Sequence, residues 1–216
     1  MRSVLAVVFT IWVGLFALSQ VETQAQERDT PSIVFYEDRD HGGLSWDDFQ
    51  GQVPGDKKVS EEAEIAWGIA FSSWQNVTEH SEGECVVKPK PGTLKIRAFM
   101  FPKRSWVKPG SKTAALLGHE QGHFHLAHIY AQKAQRLIDG LIREGKLLGK
   151  GKDCAGARSA LQREIEKVVE RYVEKCDEIQ RLYDKETEHG TDGDQQTVWD
   201  RKIKRWLEKP NDTPDP

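Results

Sequence analysis

The stretch LLGHEQGHFHLAHIY, residues 116–130, holds four of the chain's seven histidines within ten positions. On an α-helix His119 and His123 stand one turn apart on one face, about 40° from each other. Glu120 lies about 60° beyond His123 on the same side and can flank whatever the two rings hold. That is the HExxH pattern, in which two imidazoles bind zinc and the glutamate acts as general base. His125 falls about 120° from His119, and His128 about 180°. Neither shares the proposed metal face, so both read as surface or partner-contact histidines. Catalytic zinc takes three protein ligands and keeps one position for water, so a third ligand must come from elsewhere in the chain.

Outward from the motif, a helix is expected from about Ala114 to near Leu148, capped by Thr113 or Ser111, with Phe124, Ala127, Ala131, Ala134 and Ile138 among its apolar stripe. The linker GKGKDCAG (149–156) leads into a second helix with Leu161, Ile165, Val168, Tyr172, Cys176 or Lys175, Ile179 and Tyr183 on one stripe. A third helix begins near Thr197, with Trp199, Ile203, Trp206 and Leu207 inward. Before the motif, SIVFY (32–36), AEIAWGIAFSSW (63–74) and TLKIRAFMF (93–101) read as strands punctuated by Gly and Pro. The fold class is therefore α+β. A small, mostly antiparallel sheet is followed by a long antiparallel helical hairpin that carries HExxH, a zincin-like layout. One domain spans 26–208, and 209–216 has nothing to pack and reads as disordered.

The N-terminus carries Arg2 and an apolar run from Val4 to Leu18, too short for a bilayer span and followed by small residues. A signal peptide, residues 1–25, cut near Ala25, is the reading. The mature chain is then secreted or periplasmic, without stable membrane insertion. A net charge of −3 with interleaved acids and bases argues against nucleic acid as partner. Of the three cysteines, Cys154 and Cys176 lie on one predicted helix about 30 Å apart, beyond disulfide reach. Cys85 is thus one partner, and Cys154 or Cys176 the other.

Antiparallel packing brings the second helix level with His123 near residue 180, where Asp177, Glu178 and Tyr183 stand. His189, in TEHG (187–190), reaches that level only if the helix ends early and the chain folds back. Spacing leaves Glu178 and His189 both open as the third ligand.

The blocks LSWDDFQGQVP (44–54), HEQGHFHLAHIYA (119–131) and YDKETEHGTDGDQQTVWDRKI (183–203) together resemble the DUF922 family of bacterial proteins, predicted secreted zinc-dependent proteases. The resemblance implies one zinc per chain at His119 and His123, Glu120 as the catalytic carboxylate, and a role for TEHG, which brings His189 forward as third ligand. The chain departs from the family at His125 and His128, where acidic residues are usual. The expected function is peptide-bond hydrolysis of a peptide or protein substrate, with Glu120 as general base and Tyr183 as the second electrophile facing the oxyanion. The strand at 93–101 is the candidate for edge pairing with substrate. The competing expectations are a non-catalytic envelope or binding module of the same fold, and a cell-wall peptide amidase.

Overall fold

The computed structural model describes residues 33–55, 60–81 and 83–214. The expected signal peptide lies outside them. In chain order the described residues form β1 (Val34–Phe35), β2 (Ala63–Glu64), β3 (Trp67–Phe71), β4 (Asn76–Ser81), β5 (Glu84–Pro89), β6 (Ile96–Met100), β7 (Trp106–Val107), α1 (Ala114–Arg143), β8 (Gly149–Gly151), α2 (Cys154–Thr187) and α3 (Gly193–Glu208). The class is α+β, but the single sheet expected is three small antiparallel ones, ordered β1-β6-β3, β2-β7 and β4-β5-β8.

The stretch 63–74 divides into β2 and β3 for a local reason. Two side chains capture the amides at the break: Ile65 N–H donates to Glu120 Oε2 at 2.9 Å, and Ala66 N–H to Ser105 Oγ at 2.9 Å. Glu120 therefore shapes the strand that faces it. β6 is the central strand of its sheet, paired with β3 over its whole length and with β1 at Phe99 and Met100, and its Ile96 N–H is taken by Gln135 Oε1 at 2.7 Å, which leaves little of it open to a peptide.

α1 is capped by Thr113, whose hydroxyl accepts from Leu116 N–H at 3.1 Å. It ends at Arg143 rather than near Leu148, because Gly145 turns the chain at φ 65°. The helix packs on β3 and β6, on α2 and on α3. Leu126, Ile129 and Tyr130 are consequently as buried as the expected Phe124, Ala127 and Ile138. A helix buried on several faces loses its simple amphipathic stripe. Truncating Leu126 or Ile138 to Ala costs about 2–5 kcal/mol at such sites.

α2 buries Leu161, Ile165, Val169, Val173, Cys176, Ile179 and Tyr183, with Val169 and Val173 in place of the expected Val168 and Tyr172. It runs antiparallel to α1: His119 meets Tyr183 and Asp184, and His123 meets Gln180, so rising numbers on one helix face falling numbers on the other. α3 starts at Gly193, earlier than Thr197, because the Asp192 carboxylate accepts from Gln195 N–H at 3.0 Å and caps it.

Cys85 on β5 is joined to Cys154 at the start of α2, with Cα atoms 5.1 Å apart, and Cys176 is a buried free thiol. The bridge ties the β4-β5-β8 sheet to the hairpin. The tail corrects another expectation. Pro210–Asp212 forms a 3₁₀ turn, Pro210 and Thr213 are buried, and Tyr130 Oη donates to the carbonyl of Pro214 at 3.0 Å. Two prolines limit the freedom lost when this tail packs against α1.

Candidate metal centre

His119 and His123 project from α1 against α2, Glu120 beside them turns to the β2–β3 break, and all three are buried. The His119 and His123 Nε2 atoms lie 3.2 Å apart. Asp184 Oδ1, from α2, is 3.2 Å from His119 Nε2 and 2.9 Å from His123 Nε2. Three donor atoms thus converge. A tetrahedral ion with bonds of about 2.0–2.1 Å places its ligands about 3.3 Å apart, so this triangle matches the size a zinc ion requires. Two neutral imidazoles and one carboxylate are also a donor set that zinc accepts.

Asp184 is the ligand candidate that sequence reasoning missed. It lies in the YDKETEHG block and one turn beyond Gln180, the level the hairpin arithmetic reached. The polar pair Gln180 and Asp184 interrupting an apolar stripe was the available signal. Glu178 is outside the convergence, and so is His189. His189 nevertheless lies close by, with Nδ1 3.7 Å from Asp184 Oδ1 and its side chain 48% exposed. α2 ends at Thr187, Glu188 and His189 take φ 49° and 55°, and Gly190 follows at φ 81°. These left-handed residues fold TEHG back onto the motif. A Cβ at Gly190 would sit 2.8 Å from the His119 side chain, so only glycine permits that approach.

Tyr183, expected as the second electrophile, turns inward. It is fully buried, stacks on the His119 ring at 4.6 Å between centroids, donates to the His119 carbonyl at 3.1 Å and accepts from Gln196 Nε2 at 2.7 Å. Burial also lifts its phenol well above the usual range. Gly122 explains how it fits: a Cβ there would lie 2.3 Å from the Tyr183 hydroxyl.

The electrostatics follow from burial and proximity. Burial opposes ionisation of Asp184, yet the His123 and His119 rings outweigh it and hold the carboxyl well below the usual range. Burial disfavours the charged form of His123, but the Asp184 carboxylate prevails and lifts its pKa to about 9 in the metal-free site. Burial lowers that of His119. Burial raises Glu120 to about 7, partly offset by His123 and by the Ile65 amide. A carboxylate poised near neutrality suits proton transfer.

These groups open on a cavity of about 510 Å³, walled by β2 and the start of β3 on one side and by α2 on the other. Glu120, His123, Asp184 and His189 line it together with Ile65 and Trp67. A second grouping, His80 with Cys85 and Cys154, has both sulfurs in the disulfide and offers no comparable donor set.

The family model described as a bacterial protein of unknown function (DUF922) matches residues 46–190, about two thirds of the chain. The chain belongs to the DUF922 family. No curated protein and no solved structure matches it. The DUF922 segment runs from Trp46, which packs edge-on against Phe49, to Gly190 beneath His119, and so contains the three converging donors and Glu120. Among the described residues no helix is long and apolar enough to cross a membrane.

Proposed function

We propose that this DUF922 protein is an exported, zincin-like zinc peptidase. The observation that carries the reading is the meeting of His119 Nε2, His123 Nε2 and Asp184 Oδ1 within 3.2 Å, beside a buried glutamate on the wall of an open cleft. On this reading Asp184 replaces His189 as third ligand. A zinc ion held there supplies Lewis acidity toward a water and a carbonyl oxygen. The Cys85–Cys154 bridge supports export, since such bonds persist in oxidising compartments.

Glu120 is the general base. Its Oε2 is held by the Ile65 amide, which leaves Oε1 to take a proton from the attacking water and return it to the departing amine. With the Tyr183 hydroxyl engaged on both sides, His189 on the cleft rim is the group that would face the oxyanion.

The substrate chain runs along β2, not β6. Glu62 C=O accepts from Lys108 N–H, and Ala63 pairs with Val107. In an antiparallel ladder that phase turns the Ala63 amide and carbonyl away from β7, toward the side where Ile65 N–H meets Glu120. An extended peptide can add to that edge beside the base.

The test is hydrolysis of a denatured protein by the zinc-loaded mature chain, with cell-wall peptide fragments in parallel. Glu120→Gln is expected to lower turnover by about 10²–10⁴ while retaining zinc. His189→Ala is expected to retain zinc and lose about 10²–10³ in kcat. Loss of zinc in His189→Ala would instead return that histidine to the ligand set. Biological activity retained in Glu120→Gln would favour a binding module, and cleavage of cell-wall peptide alone would favour an amidase.

A further inference from the structure

Each imidazole of the centre can carry its proton on either ring nitrogen, and only the Nδ1–H form directs an Nε2 lone pair at Asp184. We infer that Gln180 and Gln196 are positioning residues that lock His119 and His123 in the Nδ1–H form, a conclusion resting on the metal-centre reading above for its functional meaning.

The argument starts from amide orientation. Gln180 Nε2 donates to the His123 carbonyl at 2.9 Å and toward Cys176 Sγ at 3.6 Å. Its Oε1 is therefore the atom against His123 Nδ1. An amide oxygen only accepts, so the ring nitrogen must donate. Gln196 reaches the same result from a different helix. Its Nε2 donates to Tyr183 Oη at 2.7 Å and to Asp200 Oδ1 at 2.8 Å, and its Oε1 stands 3.1 Å from His119 Nδ1. Rotating either amide by 180° would set oxygen against oxygen at the His123 carbonyl or the Asp200 carboxylate.

Both clamps grip a ring and its own backbone. Gln180 holds the ring and the carbonyl of His123 directly. For His119, Gln196 holds the ring, and Tyr183, which accepts from Gln196, donates to the His119 carbonyl. When both rings are neutral and carry their proton on Nδ1, three lone pairs converge between them, an arrangement that a cation relieves. The orienting groups are neutral amides, so they add no negative charge to the ligands, and the ion keeps more of its charge for the cleft.

The direct test reads ring ¹⁵N shifts of His119 and His123 in metal-free protein at alkaline pH, in wild type, Gln180→Leu and Gln196→Leu. The wild type should show the Nδ1–H signature at both rings, opposite to the form free histidine favours. Gln180→Leu should shift His123 alone and Gln196→Leu His119 alone, each weakening zinc about 10–100-fold in competition with a chromophoric chelator. An Nε2–H signature at either ring in wild type overturns the inference without any variant having to fold. Unchanged tautomers in both variants overturn it as well. The expected tautomers in a protein that takes up no zinc would uphold the lock and reject the metal reading.

Discussion

α1 carries two pairs of histidines, and only the first pair converges on one shared carboxylate oxygen; in the second, His128 Nδ1 alone lies near a carboxylate, 3.4 Å from Glu37 Oε1. His119 and His123 face a carboxylate across the hairpin, with each Nδ1 against a glutamine amide. His125 and His128 lie round the helix against Tyr36. His125 Nδ1 is 2.8 Å from the Tyr36 hydroxyl, and the His128 ring stacks on the Tyr36 ring at 3.8 Å, with its Nε2 2.8 Å from Gln132. Burial, and then the neighbouring His128, lower the pKa of His125 to about 4, so it stays neutral as part of the packing. The lesson is that a histidine becomes a ligand candidate through what converges on its free nitrogen, and the density of histidines in 116–130 says little by itself.

That contrast can be broken most forcefully at the metal. His123→Ala is expected to weaken zinc binding about a hundredfold or more, while His125→Ala leaves it unchanged, as read by chelator competition. Equal losses in the two variants would erase the distinction between the pairs.

The next effect is pH. Asp184 holds the His123 pKa near 9 in the metal-free site, and the ring must release that proton before Nε2 can bind an ion. Zinc affinity should therefore fall about tenfold per pH unit on going down from about 9, by isothermal titration. No such slope is expected from His125, which is already neutral across that range.

Glu120 sharpens the comparison through stability. Its folded-state pKa is raised to about 7, so folding favours the protonated carboxyl, and stability present below the ordinary carboxylate pKa is lost as pH rises through 7. Glu120→Gln removes that loss and keeps an acceptor for the Ile65 amide. The metal-free variant should be about 1–3 kcal/mol more stable than wild type at pH 8 in denaturant melts, with the difference vanishing toward pH 4. The smallest effect belongs to the other pair: His125→Ala leaves the Tyr36 hydroxyl without that partner and should cost about 1–2 kcal/mol.

Much of this was legible in the sequence because it is local. Helical spacing placed His119, Glu120 and His123 on one face, hairpin arithmetic brought the level of residue 180 opposite His123 without singling out Gln180, and helix distance eliminated a Cys154–Cys176 bridge. What was hidden depends on side-chain commitments made across the fold. Asp184 sits beside Tyr183, which drew attention as an electrophile, yet Tyr183 turns inward to the His119 backbone while Asp184 turns to the rings. β2 and β3 looked like one strand because nothing in AEIAWGIAFSSW announces that Glu120 and Ser105 take two of its amides. The tail lacked an apolar run and so appeared unpacked, although Tyr130 and Lys133 reach its backbone carbonyls.

The measurement closest to the central claim is zinc content by elemental analysis, after loading and exhaustive dialysis, of the mature wild-type chain beside Asp184→Ala. The account predicts about one zinc per wild-type chain and little in the variant, with both proteins folded by circular dichroism. A wild type that holds no zinc, or an Asp184→Ala that keeps it as tightly, would contradict a centre built from His119, His123 and Asp184.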